Sequence, residues 1–174
     1  MNKQKYFVMT LHRPANVDEE NHLHNLVNTI LLHAAGIPVV FPIHPRTANC
    51  LNDNLLHSEH LILTEPMGYL EFNYLIQHAK AVITDSGGIT EETTVLGVPC
   101  MTLRDSTERP ETITEGTNEL VGTNPDNLKT YFERIHAGEW KTGSIPELWD
   151  GQTAKRIIHH LETLLNHSFK NGGA

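Results

Sequence analysis

The chain has 174 residues, of which 39% are hydrophobic and 20% are charged, a composition that excludes a disordered or fibrous protein. This length is typical of one domain with a sizeable core. The formal net charge of −8 argues against a nucleic-acid-binding protein, because binding to a phosphate backbone needs a basic face.

In chain order, apolar runs of strand length alternate with segments of helical period. The prediction is strand 6–11, a helix that Asp18 caps and Gly36 ends, strand 39–41, helix 47–56, strand 61–63, helix 69–76, strand 81–84, helix 88–96, strand 100–103, a short strand at 120–121, helix 125–136, an ordered loop over 138–151, and a last helix from about residue 152. We expect one domain over residues 1–170 and a disordered tail over 171–174.

Alternating strands and helices predict an α/β fold, with a doubly wound and mostly parallel sheet of about six strands. Helices cover both faces of such a Rossmann-like sheet. Ligands bind outside the carboxyl ends of its strands, so residues with chemical roles are expected directly after each strand.

The sequence features that report on cellular compartment are few. No apolar run reaches the roughly 18 residues of a transmembrane helix, so we expect no membrane partner. The N-terminus lacks the apolar core of a signal peptide, which predicts a cytoplasmic protein. Cys50 and Cys100 are too few for a disulfide framework or a zinc site, and no metal is predicted.

Arginines are concentrated in the loops that follow the predicted strands. These loops hold four of the six arginines: Arg13, Arg46, Arg104 and Arg109. The planar guanidinium group suits phosphate oxygens, and two such groups can neutralise a diphosphate. The alternative is that these arginines pair with nearby acidic residues, namely Glu65, Asp105, Glu108 and Glu111.

The turn Asp85-Ser86-Gly87-Gly88 is the sharpest local signal. Its glycines let the backbone approach a ligand closely, and the N-terminus of the next helix attracts anions. The turn therefore predicts a phosphate cradle. The alternative is a tight turn in which Ser86 or Asp85 caps the helix. No G-x-G-x-x-G or G-K-[ST] motif is present, so ATP hydrolysis has no support.

Other candidates lie beside these loops. His12 follows the first strand and could exchange a proton near neutral pH. Glu91 or Glu92 could bind ribose hydroxyls, although the helix dipole alone favours both, and their spacing does not choose between them. Phe72 could line a slot for a base or pack in the core.

Several segments together resemble a known family. They are residues 11–14, 42–47, 84–92, 104–111 and 150–152. With them, nearly the whole chain resembles the C-terminal half of the non-hydrolysing UDP-N-acetylglucosamine 2-epimerases, whose fold is glycosyltransferase-B-like. The family often has Glu where this chain has Ala15, and some members have Gln where it has Met67.

The resemblance implies a role for individual residues. Ser86, Gly87 and Gly88 would hold the UDP diphosphate, with Arg109 beside it. Glu92, rather than Glu91, would bind the ribose. The full set of implied substrate-binding residues is Arg13, Met67, Phe72, Ser86, Gly87, Gly88, Glu92 and Arg109, and the implied catalytic residue is His12. Phe72 and the backbone at Met67 would border the uracil.

The resemblance also implies a reaction. UDP leaves the sugar by elimination across C1–C2 and is added back after protonation of the opposite face, which interconverts UDP-GlcNAc and UDP-ManNAc without metal or other cofactor. The family's acid and base lie in an N-terminal half, so the resemblance implies that half as a partner, an inactive isolated chain and a homodimeric full-length protein.

Four alternatives stay open. The chain could be the donor domain of a nucleotide-sugar glycosyltransferase, or a non-catalytic UDP-sugar-binding module. Within the family, a hydrolysing enzyme or one acting on a diacetamido sugar is also compatible with the residues.

Overall fold

The structure is a computed structural model that describes residues 5–171, without the side chains of residues 46 and 166–171. Its strands are β1 (Phe7–Thr10), β2 (Val39–Pro42), β3 (Leu61–Thr64), β4 (Ala81–Thr84), β5 (Cys100–Thr102) and β6 (Asn118–Leu120). They form a single sheet of six strands in the order β3-β2-β1-β4-β5-β6, and every neighbouring pair is parallel. The predicted fold class is confirmed.

Helices connect the strands. They are α1 (Pro14–Val17), α2 (Glu20–Ala34), α3 (Pro45–Ala48), α4 (Asp53–Leu56), α5 (Tyr69–Gln77), α6 (Gly87–Leu96), α7 (Glu111–Thr114), α8 (Leu128–Ala137) and α9 (Thr153–Asn171), with a 3-10 turn at Pro125–Asn127. Within the described residues, none of these helices is long and apolar enough to cross a membrane.

Three local predictions are wrong. Asp18 does not cap α2, because its backbone N–H closes α1 by donating to Pro14 O. The expected helix 47–56 is two short helices, the second of which starts at a cap formed by Asn52. Strand β6 begins at Asn118, before the predicted 120–121, because the Asn118 carboxamide is satisfied by a hydrogen bond from Thr102 on β5.

The sheet separates two apolar clusters. Alternate residues of a strand point to opposite faces, so Phe7 and Met9 join one cluster with α2 and α8, whereas Tyr6 and Val8 join the other. The second cluster includes Ile76 of α5, and Phe72 and Ile89 pack against it. Burial on both faces explains why the strands are continuous apolar runs.

Two compact units divide the chain, Met1–Ser144 and Ile145–Ala174. The sheet and helices α1 to α8 belong to the first unit. Helix α9 belongs to the second and extends through Asn171, whereas residues 172–174 of the predicted tail lie outside the described residues. One domain over residues 1–170 therefore stays a prediction.

Candidate functional site

The strand order places the candidate site at the centre of the sheet. Strands β1 and β4 are neighbours, and from there the chain continues outward to β2 on one side and to β5 on the other. This reversal opens a crevice at the carboxyl ends of β1 and β4, where doubly wound folds bind ligands. His12 follows β1 and Ser86 follows β4, so the fold brings these two predicted residues to the same crevice.

A buried carboxylate joins the two loops at this crevice. Asp85, whose side chain is fully buried, accepts hydrogen bonds from the backbone N–H groups of His12 and Arg13 at 3.0 and 2.9 Å. The Asn16 carboxamide donates to it at 3.0 Å, and the His12 Nδ1 atom lies 2.7 Å from Asp85 Oδ1. The loop after β1 is therefore fixed to the loop after β4.

The alternative in which Asp85 or Ser86 caps α6 is confirmed for the position of Ser86, although its side chain makes no capping hydrogen bond. Ser86 occupies the N-cap position in extended conformation, but no side chain among the described residues caps this helix. The Asp85 carboxylate is directed to the loop after β1 instead. The side chain of the N-cap residue thus leaves the N-terminal N–H groups of α6 uncapped, and such a helix terminus attracts anions.

Arg104 lies next to this turn. It donates two hydrogen bonds to the Glu108 carboxylate, at 2.7 and 2.9 Å. A Cβ atom placed on Gly87 would lie 3.6 Å from Glu108 Oε2 and 3.7 Å from Arg104 Nη1. The hydrogen bonds from Arg104 lower the pKa of Glu108 from its ordinary 4.5 to about 2.

Arg109 lies beside α6 at Glu91, the fifth of the ten residues of this helix. Its Nε atom donates to Glu91 Oε1, and the Arg109 side chain is about half exposed, at 54%. The hydrogen bond to Glu91 also raises the pKa of Arg109. The predicted alternative, pairing with nearby acidic residues, is thus confirmed for Arg104, which pairs with Glu108. Arg109 also pairs with an acidic residue, but its partner Glu91 was not among those predicted. The Arg46 side chain lies outside the described part.

Glu91 and Glu92 face different neighbours. Glu92 is half-buried, and burial raises its pKa above the ordinary 4.5, while a hydrogen bond to Asn73 of α5 acts in the opposite direction. Phe72, beside Asn73, is half-buried against the second apolar cluster, and Met67 is half-buried in the loop before α5. The structure thus places Glu92 towards α5 and Glu91 towards Arg109.

The sequence analysis missed the role of Asp85 as the partner of His12, and with it the buried Asn16. The signal was available, because a carboxylate directly after β4 and a histidine directly after β1 must meet once those strands are neighbours. No cluster of three His, Cys, Asp or Glu side chains suited to a metal ion occurs within the described part of the chain.

Known proteins share this fold. Residues 1–162 match the family described as UDP-N-acetylglucosamine 2-epimerase. The chain belongs to the UDP-N-acetylglucosamine 2-epimerase family. A UDP-N-acetylglucosamine 2-epimerase of Methanococcus maripaludis is 45% identical over 165 residues, which cover 90% of this chain and 44% of the relative. The chain therefore spans less than half the length of this epimerase.

Two further family members extend the comparison. The crystal structure of Methanocaldococcus jannaschii UDP-GlcNAc 2-epimerase, in complex with UDP-GlcNAc and UDP, is similar with a TM-score of 0.78 and 39% identity, over 92% of this chain and 46% of that one. A UDP-2,3-diacetamido-2,3-dideoxy-D-glucuronate 2-epimerase of Pseudomonas aeruginosa is 36% identical over 162 residues, 91% of this chain and 45% of the relative. The predicted half of a glycosyltransferase-B-like fold is confirmed.

Proposed function

We propose that this chain is the UDP-binding half of a UDP-GlcNAc 2-epimerase, which interconverts UDP-GlcNAc and UDP-ManNAc. The observation that carries the proposal is the uncapped N-terminus of α6, with Arg104 beside Gly87 and Arg109 beside Glu91. Backbone N–H groups with a guanidinium group beside them, and a second guanidinium group on the same helix, suit a diphosphate. Family membership favours this function over a glycosyltransferase donor domain and over a non-catalytic binding module.

The diphosphate is also the leaving group of the proposed reaction. The C2 proton is removed, the bond between C1 and the UDP oxygen breaks with its electrons passing to the diphosphate, and a 2-acetamidoglucal forms. A proton then reaches the other face of C2 while the UDP oxygen bonds again to C1. Ser86, Gly87, Gly88 and Arg109 stabilise the charge that the diphosphate gains when the bond breaks.

The remaining predicted contacts complete the proposed ligand pose. Glu92 binds the ribose hydroxyls, Phe72 and the backbone at Met67 border the uracil, and Arg13 and His12 face the sugar and its phosphate. Support comes from the position of Glu92 near α5, the helix that carries Phe72. The reaction uses no cofactor in this proposal.

The proposed partner is an N-terminal half, which supplies the groups that exchange the C2 proton. Coverage of the relatives supports this partner, because the chain spans 44% of the Methanococcus maripaludis epimerase. We further propose that the full-length protein is a homodimer. The cytoplasmic location stays a prediction.

The test is to incubate the full-length protein with UDP-GlcNAc in deuterated water and follow the products by NMR. We expect UDP-ManNAc with deuterium at C2, because the proton removed at C2 exchanges with solvent before another returns. UDP-ManNAc without deuterium would contradict the mechanism, and absence of product from the folded protein would contradict the activity. A parallel reaction with a UDP-diacetamido sugar identifies the preferred sugar.

A further inference from the structure

The contact between His12 and Asp85 constrains which nitrogen of the imidazole ring carries a hydrogen. The Asp85 carboxylate is fully buried, and its contacts with His12, Arg13 and Asn16 are all with nitrogen atoms. An ionised carboxylate can only accept hydrogen bonds, so each nitrogen that faces it must carry a hydrogen. The His12 ring is 58% exposed, in contrast to its partner.

This contact determines which ring nitrogen holds the proton. His12 Nδ1 lies 2.7 Å from Asp85 Oδ1, a normal hydrogen-bond distance. Because the carboxylate accepts, Nδ1 carries the hydrogen, and in the neutral ring the lone pair is on Nε2. Nε2 is on the far side of the ring from the anchored nitrogen, so the ring offers an acceptor to whatever occupies the crevice.

The surrounding bonds keep the carboxylate from turning away. Two backbone N–H groups and the Asn16 carboxamide hold it, and Asn16 also donates to Leu103 O at 3.3 Å. The other charged groups near this pair are Arg13, whose backbone donates to Asp85, and Arg104, whose pKa is raised chiefly by Glu108 and to a smaller extent by Asp85.

We propose that Asp85 is a positioning residue, which holds His12 in the Nδ1–H tautomer and aims Nε2 at the bound UDP-sugar. What Nε2 contacts rests on the proposed function, whereas the tautomer follows from the structure alone. In the neutral ring Nε2 accepts a hydrogen bond from the ligand. When Nε2 takes up a proton, the Asp85 carboxylate stabilises the resulting imidazolium, and the ring returns to its original tautomer when that proton leaves.

The direct test is a ¹⁵N NMR measurement of the histidine ring nitrogens in this chain, with the His12 signals assigned by their loss in His12→Gln. We expect the neutral wild-type ring to be protonated at Nδ1 and unprotonated at Nε2. The reverse assignment in the wild type would overturn the proposal without any variant. In Asp85→Asn, the side-chain NH₂ can donate to Nδ1, so we expect the proton to move to Nε2.

The matched control is Asn16→Ala. It removes one donor to Asp85 and leaves the contact between Asp85 and His12 in place. We expect lower stability in this variant and an unchanged ring tautomer. If Asn16→Ala moves the proton as Asp85→Asn does, general loosening of the loop accounts for the effect, and the proposal fails.

A double-mutant cycle on the full-length enzyme tests the consequence for activity. We expect Asp85→Asn to lower kcat by about tenfold or more, since the same change in a serine protease triad costs about 10⁴-fold through the wrong tautomer. In a His12→Gln background, the added loss should be less than about twofold, because the two residues act as one unit. A full additional loss would overturn the positioning role, whereas an inactive wild type would contradict the proposed function instead.

Discussion

Two carboxylates at the edge of the sheet differ in their exposure to solvent: Asp85 is buried and Glu108 is exposed. Asp85 is fully buried, so losing a donor would leave an uncompensated charge, which is costly. Glu108 is 67% exposed, whereas the side chain of its partner Arg104 is 16% exposed. Asp85 is therefore suited to a fixed framework, whereas the Glu108 carboxylate that holds Arg104 is open to water.

The first prediction concerns the titration of Glu108. Its pKa of about 2 lies below the ordinary 4.5, so the stability it contributes is present above pH 4.5 and is lost as the pH falls towards 2. We expect Arg104→Gln to return this pKa towards 4.5, because the hydrogen bonds from Arg104 are the main cause of the shift. Side-chain carboxyl NMR measures both values, and an unchanged pKa in the variant would refute the assignment.

The second prediction separates folding from ligand binding at Gly88. A Cβ atom placed there meets no described heavy atom within 4 Å, so Gly88→Ala should leave the free energy of unfolding nearly unchanged. A diphosphate held by the N-terminus of α6 would meet the added methyl group, so we expect UDP affinity to fall about tenfold or more. Denaturant unfolding and calorimetry measure the two effects, and undiminished affinity would argue against a close approach of the diphosphate.

At the scale of elements, the loop after α8 is held in place by directed bonds from three of its residues. The Trp140 indole donates to Thr117 O at 2.7 Å, Lys141 Nζ donates to Ile113 O at 2.5 Å, and the Ser144 backbone donates to Glu115 O at 2.7 Å. These contacts join the loop to α7 and to the segment between α7 and β6. A loop without regular secondary structure is thereby held beside β6, the edge strand of the sheet.

The third prediction concerns the closest approach in this loop. A Cβ atom on Gly143 would lie 2.6 Å from the carbonyl carbon of Gly116 and 2.7 Å from Thr117 N, and backbone atoms cannot yield easily. We expect Gly143→Ala to lower the free energy of unfolding by about 1–3 kcal/mol. Gly88→Ala serves as the control in the same denaturant experiment, and equal stability of the two variants would contradict the account.

The elements that could be predicted from sequence are those with a strong period or an apolar run. Strands β1 to β5 and helices α5, α6 and α8 follow the predictions closely, because their burial dictates their composition. Helices α1 and α7, with four residues each, were not predicted, since such short segments carry no period. The predicted start of β6 was also wrong, because a contact with β5, which is distant in sequence, involves Asn118 at the observed start of the strand.

The candidate site could be predicted only in part. Residues directly after strands could be placed at one edge, because topology alone brings them there. The pairing of Glu91 with Arg109 and of Glu92 with Asn73 depends on how α6 is rotated against its neighbours, which no local pattern specifies. Their roles towards a ligand stay predictions.

At the scale of the whole molecule, the proposed anion site is a local feature of an acidic chain. The formal net charge of −8 repels UDP at long range, so binding must come from close contacts with guanidinium and N–H groups. Arg104 lies beside Gly87 at the N-terminus of α6, and Arg109 pairs with Glu91 further along the same helix. Affinity should therefore depend on a few residues of this unit and not on overall charge.

The most direct test of this claim is calorimetric titration of the chain with UDP. We expect Arg109→Ala and Ser86→Ala each to weaken binding, with a loss of about tenfold or more for the arginine, because a hydrogen bond to a charged group contributes about 1.5–3 kcal/mol. The control is Arg134→Ala, which removes a guanidinium group paired with Glu119 near the C-terminal end of α8 and should leave UDP affinity unchanged. Equal affinity in the wild type, Arg109→Ala and Ser86→Ala would show that UDP does not bind at the N-terminus of α6 and would contradict the account.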